Sequence, residues 1–163
     1  MNPLDSLYRD LIMDHARHPQ GKGLQDPFDG ESFQVNPTCG DQVRLRVDLD
    51  NTGEQPKLAQ VSWDGQGCSI SQASVSMMKD LVEGEDLDQV AHLEEIFGRL
   101  MHSRGQGIDP DEAALLGDAE ALEGTSRYPM RVKCALLGWM ALKDAVAKAQ
   151  AGDNSPAGAP EGI

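Results

Sequence analysis

Gln42-Val43-Arg44-Leu45-Arg46-Val47-Asp48-Leu49 alternates without a break between polar and apolar side chains. Val43, Leu45, Val47 and Leu49 fall on one face, and Gln42, Arg44, Arg46 and Asp48 on the other. That period of two is the mark of a half-buried strand. The turn formers Asp50-Asn51-Thr52-Gly53 follow, with Pro56 shortly beyond. A second short strand is expected from Leu58 to Asp64, with Ala59, Val61 and Trp63 on one face. Antiparallel pairing across the turn sets Gln42 roughly opposite Asp64. The residues just beyond, Asp41 and Cys39 on one side and Gly65 to Cys68 on the other, then emerge from the same end of one hairpin.

The segments around this hairpin read as helices. Met1 to Pro19 is amphipathic, with Leu4, Leu7, Tyr8, Leu11, Ile12 and His15 on one face. Ser69-Ile70-Ser71-Gln72 has the spacing of a capping box ahead of Ala73, Met77 and Leu81, which predicts a helix over 69–82 with Cys68 at its N-terminus. Exposed amides and the helix dipole favour a thiolate there. Val90, Leu93, Ile96, Phe97 and Leu100 give a stripe to a helix over 87–101, and Gly105-Gln106-Gly107 breaks it. A short polar-rich helix is expected over 110–122. The last helix starts near Pro129, a residue suited to a first helical turn, and carries Cys134, with Arg131 one turn earlier on the same face.

Cys39, Cys68 and Cys134 are the only cysteines among the 163 residues. An odd number of thiols and no export pattern argue against a disulfide framework and leave metal binding or thiol chemistry. With Asp41 they supply four anionic ligands, the number a tetrahedral zinc ion takes. Such a centre would carry a formal charge of about −2, an electron-rich and nucleophilic site, with Arg131 or Lys133 nearby to offset it. A carboxylate exchanges more readily than a thiolate, so Asp41 marks a site able to open. The competing reading is three separate buried thiols. Gly65 and Gly67 do not start a phosphate loop, since no lysine–serine pair follows; they suit close approach of the backbone to a metal. His15, His18, His92 and His102 read as surface or capping groups, and Met77 and Met78 as core.

Composition narrows the class. The formal net charge is −13, which argues against nucleic acid as a partner. No apolar run is long enough for a membrane span, and the N-terminus has no signal-peptide pattern, so a cytoplasmic setting is expected. From Asp80 to Glu123 there are 13 acidic residues and two arginines, which reads as a solvated face. Arg127, Arg131 and Lys133 instead make a cationic patch just before Cys134. Residues 1–150 are expected to form one domain, and 151–163, rich in glycine, alanine and proline, a disordered tail.

Val35-Asn36-Pro37-Thr38-Cys39-Gly40-Asp41, Gly65-Gln66-Gly67-Cys68-Ser69-Ile70-Ser71 and Arg131-Val132-Lys133-Cys134 together resemble the three motifs of the IscU/SufU family of iron–sulfur cluster assembly proteins. The resemblance runs from the N-terminal helix to about Lys148. Two details resemble its SufU branch: Lys133 stands where IscU scaffolds carry a histidine ligand, and the spacer from Cys68 to Cys134 is long, 66 positions against 29 between Cys39 and Cys68. The Leu-Pro-Pro-Val-Lys segment by which IscU scaffolds engage their Hsp70 chaperone is replaced by Arg127-Tyr128-Pro129-Met130-Arg131.

The resemblance implies a zinc protein that accepts persulfide sulfur from a SufS-type cysteine desulfurase and passes it to a downstream SUF scaffold. It implies Cys39 as acceptor, displaced from zinc by a histidine of the desulfurase, with Asp41, Cys68 and Cys134 remaining as ligands. It also implies a role for Arg131 beside the site. The alternative within the family is a scaffold that itself holds a [2Fe–2S] cluster; a zinc module that only mediates binding is a third reading. The expected architecture is α+β: a small antiparallel sheet of about three strands (33–36, 42–49 and 58–64), with helices packed on one face and the metal site at one exposed end.

Overall fold

The computed structural model describes residues 3–162. Its order is α1 (Pro3–Arg17), β1 (Gly30–Asn36), β2 (Asp41–Asp50), β3 (Lys57–Gln66), α2 (Ser69–Val82), α3 (Leu87–Met101), α4 (Pro110–Ala114), a 3-10 helix (Gly117–Arg127), α5 (Pro129–Gln150) and β4 (Glu161–Gly162). Strands β1, β2 and β3 form the expected antiparallel sheet, in the order β3-β2-β1, and the two residues of β4 add a parallel edge to β1.

Alternation in β2 does what the sequence demands of it. Val43, Leu45 and Val47 are buried toward the helices. The opposite face is held by charge: Arg44 and Arg46 both pair with Glu31 of β1 and lie over the rings of Phe33 and Phe28, each 4.4 Å from the centroid. Glu31 is fully buried, and these two guanidiniums hold its carboxyl below the usual carboxylate range against the opposing effect of burial.

The hairpin register is two residues from the expected one. Gln42 pairs with Gln66, and Arg44 with Asp64. An even slip leaves the side chains of β2, and Val61 and Trp63 of β3, on their predicted faces. One residue of the slip is taken back at an irregularity between Asp48 and Leu49, where Asp48 faces Gln60 and Leu49 faces Leu58. Ala59 is thereby left exposed and Leu58 takes the buried position, against the expectation for Ala59.

Helix α5 lies across β1 and β2. Gly30 permits the crossing, because a Cβ there would collide with the backbone carbonyl of Ala145. Trp63, Leu45, Leu58, Met77, Met78 and Leu137 fill the space between sheet and helices, and Phe97 of α3 stacks on Trp139 of α5 with centroids 4.5 Å apart.

Three expectations change on the helical side. The helix expected over 110–122 stops at Ala114, and the chain continues as a 3-10 helix from Gly117, whose φ is +54°. Leu116, Ala119, Leu122 and Thr125 are all buried, a spacing of three that a 3-10 turn places on one side. His15 is buried, not a surface group: its ring nitrogens meet Ser76 Oγ at 2.7 Å and Asp118 Oδ2 at 2.9 Å. Leu4 and Leu7, placed on the apolar face of α1, are instead about half exposed.

The last segment also departs from its composition, which reads as disordered. The Ala157 amide donates to Glu31 at 2.8 Å, its carbonyl accepts from Arg44 at 3.2 Å, and β4 runs beside Gln34 and Val35. Among the described residues no helix is long and apolar enough to cross a membrane.

Candidate metal centre

Four segments converge where β1, β2 and β3 end. The β1–β2 connection is a tight turn: the Gly40 amide donates to the Asn36 carbonyl at 2.9 Å, and Gly40 has φ +75°. Cys39 lies exposed on this turn. Asp41 opens β2 and points inward with 1% of its surface exposed. Cys68 follows the end of β3, and Cys134 lies buried in the second turn of α5.

The distances join three of the predicted ligands closely. Cys39 Sγ lies 2.8 Å from Asp41 Oδ2 and 3.3 Å from Cys134 Sγ. Ligand atoms of Cys39, Asp41 and Cys134 are all within 4.8 Å of one another. Cys68 stands at the edge of this group, its sulfur 3.9 Å from Asp41 Oδ2 and 3.9 Å from Ser71 Oγ. Its backbone amide donates to Asp41 Oδ1 at 2.9 Å, so Asp41 links the two strand ends through both oxygens.

The N-terminus of α2 is built differently from the capping box. Cys68 itself is the N-cap and no side chain caps the helix. The Cys68 carbonyl accepts from the Gln72 amide at 3.1 Å, and Ser71 Oγ turns back to donate to that same carbonyl at 3.0 Å. The two glycines have distinct duties. A Cβ on Gly65 would strike the carbonyl of Gln42 across the ladder, and one on Gly67 would strike the Asp41 carboxylate and Ser71 Oγ. Gly67 thus leaves room for the Asp41 side chain and not only for backbone.

The electrostatics call for a cation. Burial, then hydrogen bonding to Asp41 and Cys39, pushes the Cys134 thiol strongly up. Three thiols and a carboxylate packed this closely cannot all ionise without an opposing charge at their centre. Zinc bonds of about 2.3 Å to sulfur and 2.0 Å to oxygen, arranged tetrahedrally, set S···S edges near 3.8 Å and S···O edges near 3.5 Å. The Cys39–Asp41, Cys39–Cys134 and Cys68–Asp41 separations each lie within about 1 Å of these edges, and Cys68 is the member that must move furthest inward to complete the set. The donor set therefore fits a thiophilic divalent ion.

Arg131 and Lys133 are exposed at the start of α5. The Arg131 guanidinium lies over the Tyr128 ring, 5.0 Å from its centroid, so it borders the site and is not drawn into the thiol group. Tyr128 and Met130 are also more than half exposed here, giving the rim an apolar element that charge patterning did not reveal. Asn36 was not singled out from sequence either. Its signal is local: an asparagine before proline, two residues ahead of a backbone amide it can bond.

Residues 7–135 match the NifU-like N terminal domain family. Over 153 residues the chain is 42% identical to the zinc-dependent sulfurtransferase SufU of Bacillus subtilis (strain 168), covering 92% of this chain and 96% of that protein. It is 37% identical over 147 residues to the iron–sulfur cluster assembly scaffold protein IscU of Streptococcus pyogenes serotype M1, covering 90% and 86% respectively. The backbone matches, with a TM-score of 0.73, the crystal structure of a proposed iron–sulfur cluster assembly scaffold protein for the SUF system of Fervidobacterium islandicum AW-1. Identity there is 29%, over 84% of this chain and 94% of that one.

Proposed function

The chain belongs to the NifU-like N-terminal domain family, and we propose that within it this protein is a zinc-dependent sulfur acceptor for iron–sulfur cluster assembly. Its donor is a SufS-type cysteine desulfurase, and its product passes to a downstream SUF scaffold. Cys39, Asp41, Cys68 and Cys134 hold the metal. Bound zinc would keep its sulfur ligands as thiolates at neutral pH.

Cys39 is the residue that takes the sulfur, and one observation carries this assignment. Cys39 is exposed on a turn while its sulfur touches both Asp41 Oδ2 and Cys134 Sγ, so the residue faces outside and is still part of the ligand group. Cys134 is buried, and Cys68, though exposed, stands outside the close group of Cys39, Asp41 and Cys134. In the transfer, the Cys39 thiolate attacks the outer sulfur of the desulfurase persulfide. One S–S bond forms on Cys39 as the donor's S–S bond breaks, and the electron pair leaves on the desulfurase cysteine, so no external oxidant is needed. Exposed Tyr128, Met130 and Arg131, at the start of the helix that carries Cys134, offer apolar surface and positive charge for docking.

The scaffold reading draws on the IscU relative and on the same donor set. Lys133, at the position of a histidine ligand in IscU scaffolds, favours the acceptor. The deciding experiment measures metal content and desulfurase turnover on one sample. Tightly bound zinc and a large rise in cysteine turnover, lost in Cys39→Ala with thermal melting little changed, supports sulfur acceptance. Iron with a visible cluster spectrum and little activation replaces it with the scaffold.

A further inference from the structure

Asn36 ends β1 with 1% of its surface exposed, and both ends of its side chain are in use. Oδ1 accepts from the Thr38 amide at 3.2 Å. Nδ2 lies 3.1 Å from Cys39 Sγ and 4.0 Å from Cys134 Sγ. The orientation of the carboxamide follows from these partners. A backbone N–H can only donate, so the oxygen faces Thr38 and the NH2 group must face the two sulfurs. With its own carbonyl accepting from Gly40, Asn36 grips the Cys39 turn at three points.

An N–H donor aimed at a thiolate spreads the sulfur's negative charge, and does so more strongly where water is excluded. Cys68 has a different neighbour, Ser71 Oγ, at 3.9 Å. The three sulfurs are therefore not equivalent, and of the two exposed cysteines, Cys39 and Cys68, it is Cys39 that carries the close amide donor. We infer that Asn36 is a positioning residue of sulfur acceptance, whose carboxamide draws charge from the Cys39 sulfur and restrains it within the ligand group. Cys39 stays quiet while ligated, in spite of its exposure, and its reactivity rises when that restraint is relaxed. This rests on Cys39 being a metal ligand.

Two substitutions separate the sulfur contact from the shape of the turn. Asn36→Asp keeps the size and the acceptor for Thr38 but removes the donor; Asn36→Ala removes both. Asn36→Ser restores a donor of shorter reach. Each full-length protein is loaded with Co2+, and its thiolate-to-cobalt absorption is recorded. In the zinc-loaded forms, iodoacetamide labelling of each cysteine is timed by peptide mass spectrometry, with a thermal melt for every sample.

In Asn36→Asp and Asn36→Ala the absorption should move to lower energy, because an unbonded sulfur gives up its electrons more easily. Labelling of Cys39 alone should quicken by about fivefold, the equivalent of about 1 kcal/mol for one hydrogen bond. Asn36→Ser should fall between these and the parent. If Asn36→Asp matches the parent in both readouts while Asn36→Ala does not, Asn36 acts through turn geometry and the inference is overturned. Equal acceleration at all three cysteines would overturn it too, as general loosening. A parent protein that takes up no cobalt would instead defeat the metal-centre reading, a result visible before any variant is compared.

Discussion

The cysteine-bearing end of the hairpin and the acidic stretch from Asp80 to Glu123 both crowd acidic groups together, and they relieve the charge in different ways. At the hairpin, Asp41 and Cys134 are buried and Cys39 lies against both. Burial and the neighbouring acids push the Cys134 thiol up, while Arg131, one turn before it on α5, lies over Tyr128. The acidic stretch supplies its own partners. Arg99 pairs with Glu112 across two helices, and Asp118 meets His15. Glu94 is partly buried, and its carboxyl is pushed up to about 7 by that burial, which Lys143 offsets only in part. Acids that converge on one point from four segments make a site for a cation; acids spread along helices neutralise themselves or take up a proton.

The strongest way to break this comparison is at Gly67. Gly67→Ala should abolish tight zinc binding, since its Cβ would occupy the space of the Asp41 carboxylate and Ser71 Oγ, while the acidic helices stay folded. Zinc content by atomic emission, with circular dichroism on the same sample, checks this; retained zinc would mean that the convergence tolerates a methyl group.

Leu122→Ala is the reverse experiment. It opens a cavity under the 3-10 helix, where Leu122 is fully buried, and should cost about 2–5 kcal/mol in denaturant unfolding. Zinc stoichiometry in the surviving native protein should be unchanged. Loss of metal in step with stability would show that the two regions are not separable.

Glu94 gives the smallest and sharpest effect. Its folded pKa lies above its unfolded value, so its contribution to stability is fully present below the unfolded pKa and is lost as pH rises through about 7. Glu94→Gln should raise stability only slightly near pH 5 and by on the order of 2 kcal/mol near pH 8, allowing for partial exposure. Thermal melts of both proteins across pH 5–8 test this, and parallel curves would place the titration elsewhere.

Much of the hairpin was legible because each of its signals is local. The alternation of 42–49 identifies the buried face without knowledge of any neighbour, and an even slip in register preserved it. Pro129 opens α5 as expected. The acidic stretch was harder to read: the burial of Leu116, Ala119 and Leu122 at intervals of three resembles a helix in a short window, and Gly117 at positive φ settles the tighter form. His15 looked like a helix-end surface group because its partners, Ser76 and Asp118, lie 61 and 103 residues away.

From the sequence alone came the α+β class, the hairpin, the helix boundaries on either side of it, and the four residue types suited to a thiophilic ion. A strand's period and a helix's stripe are written within a dozen residues, because backbone geometry repeats over that range. Only the tertiary structure decided that Cys134 meets Cys39 across 95 positions, that Cys68 stands at the edge of the group, and that Asn36 faces the sulfurs. Those placements depend on how α5 crosses the sheet at Gly30 and on the register of β3. Packing between distant segments sets both, and no local pattern encodes it.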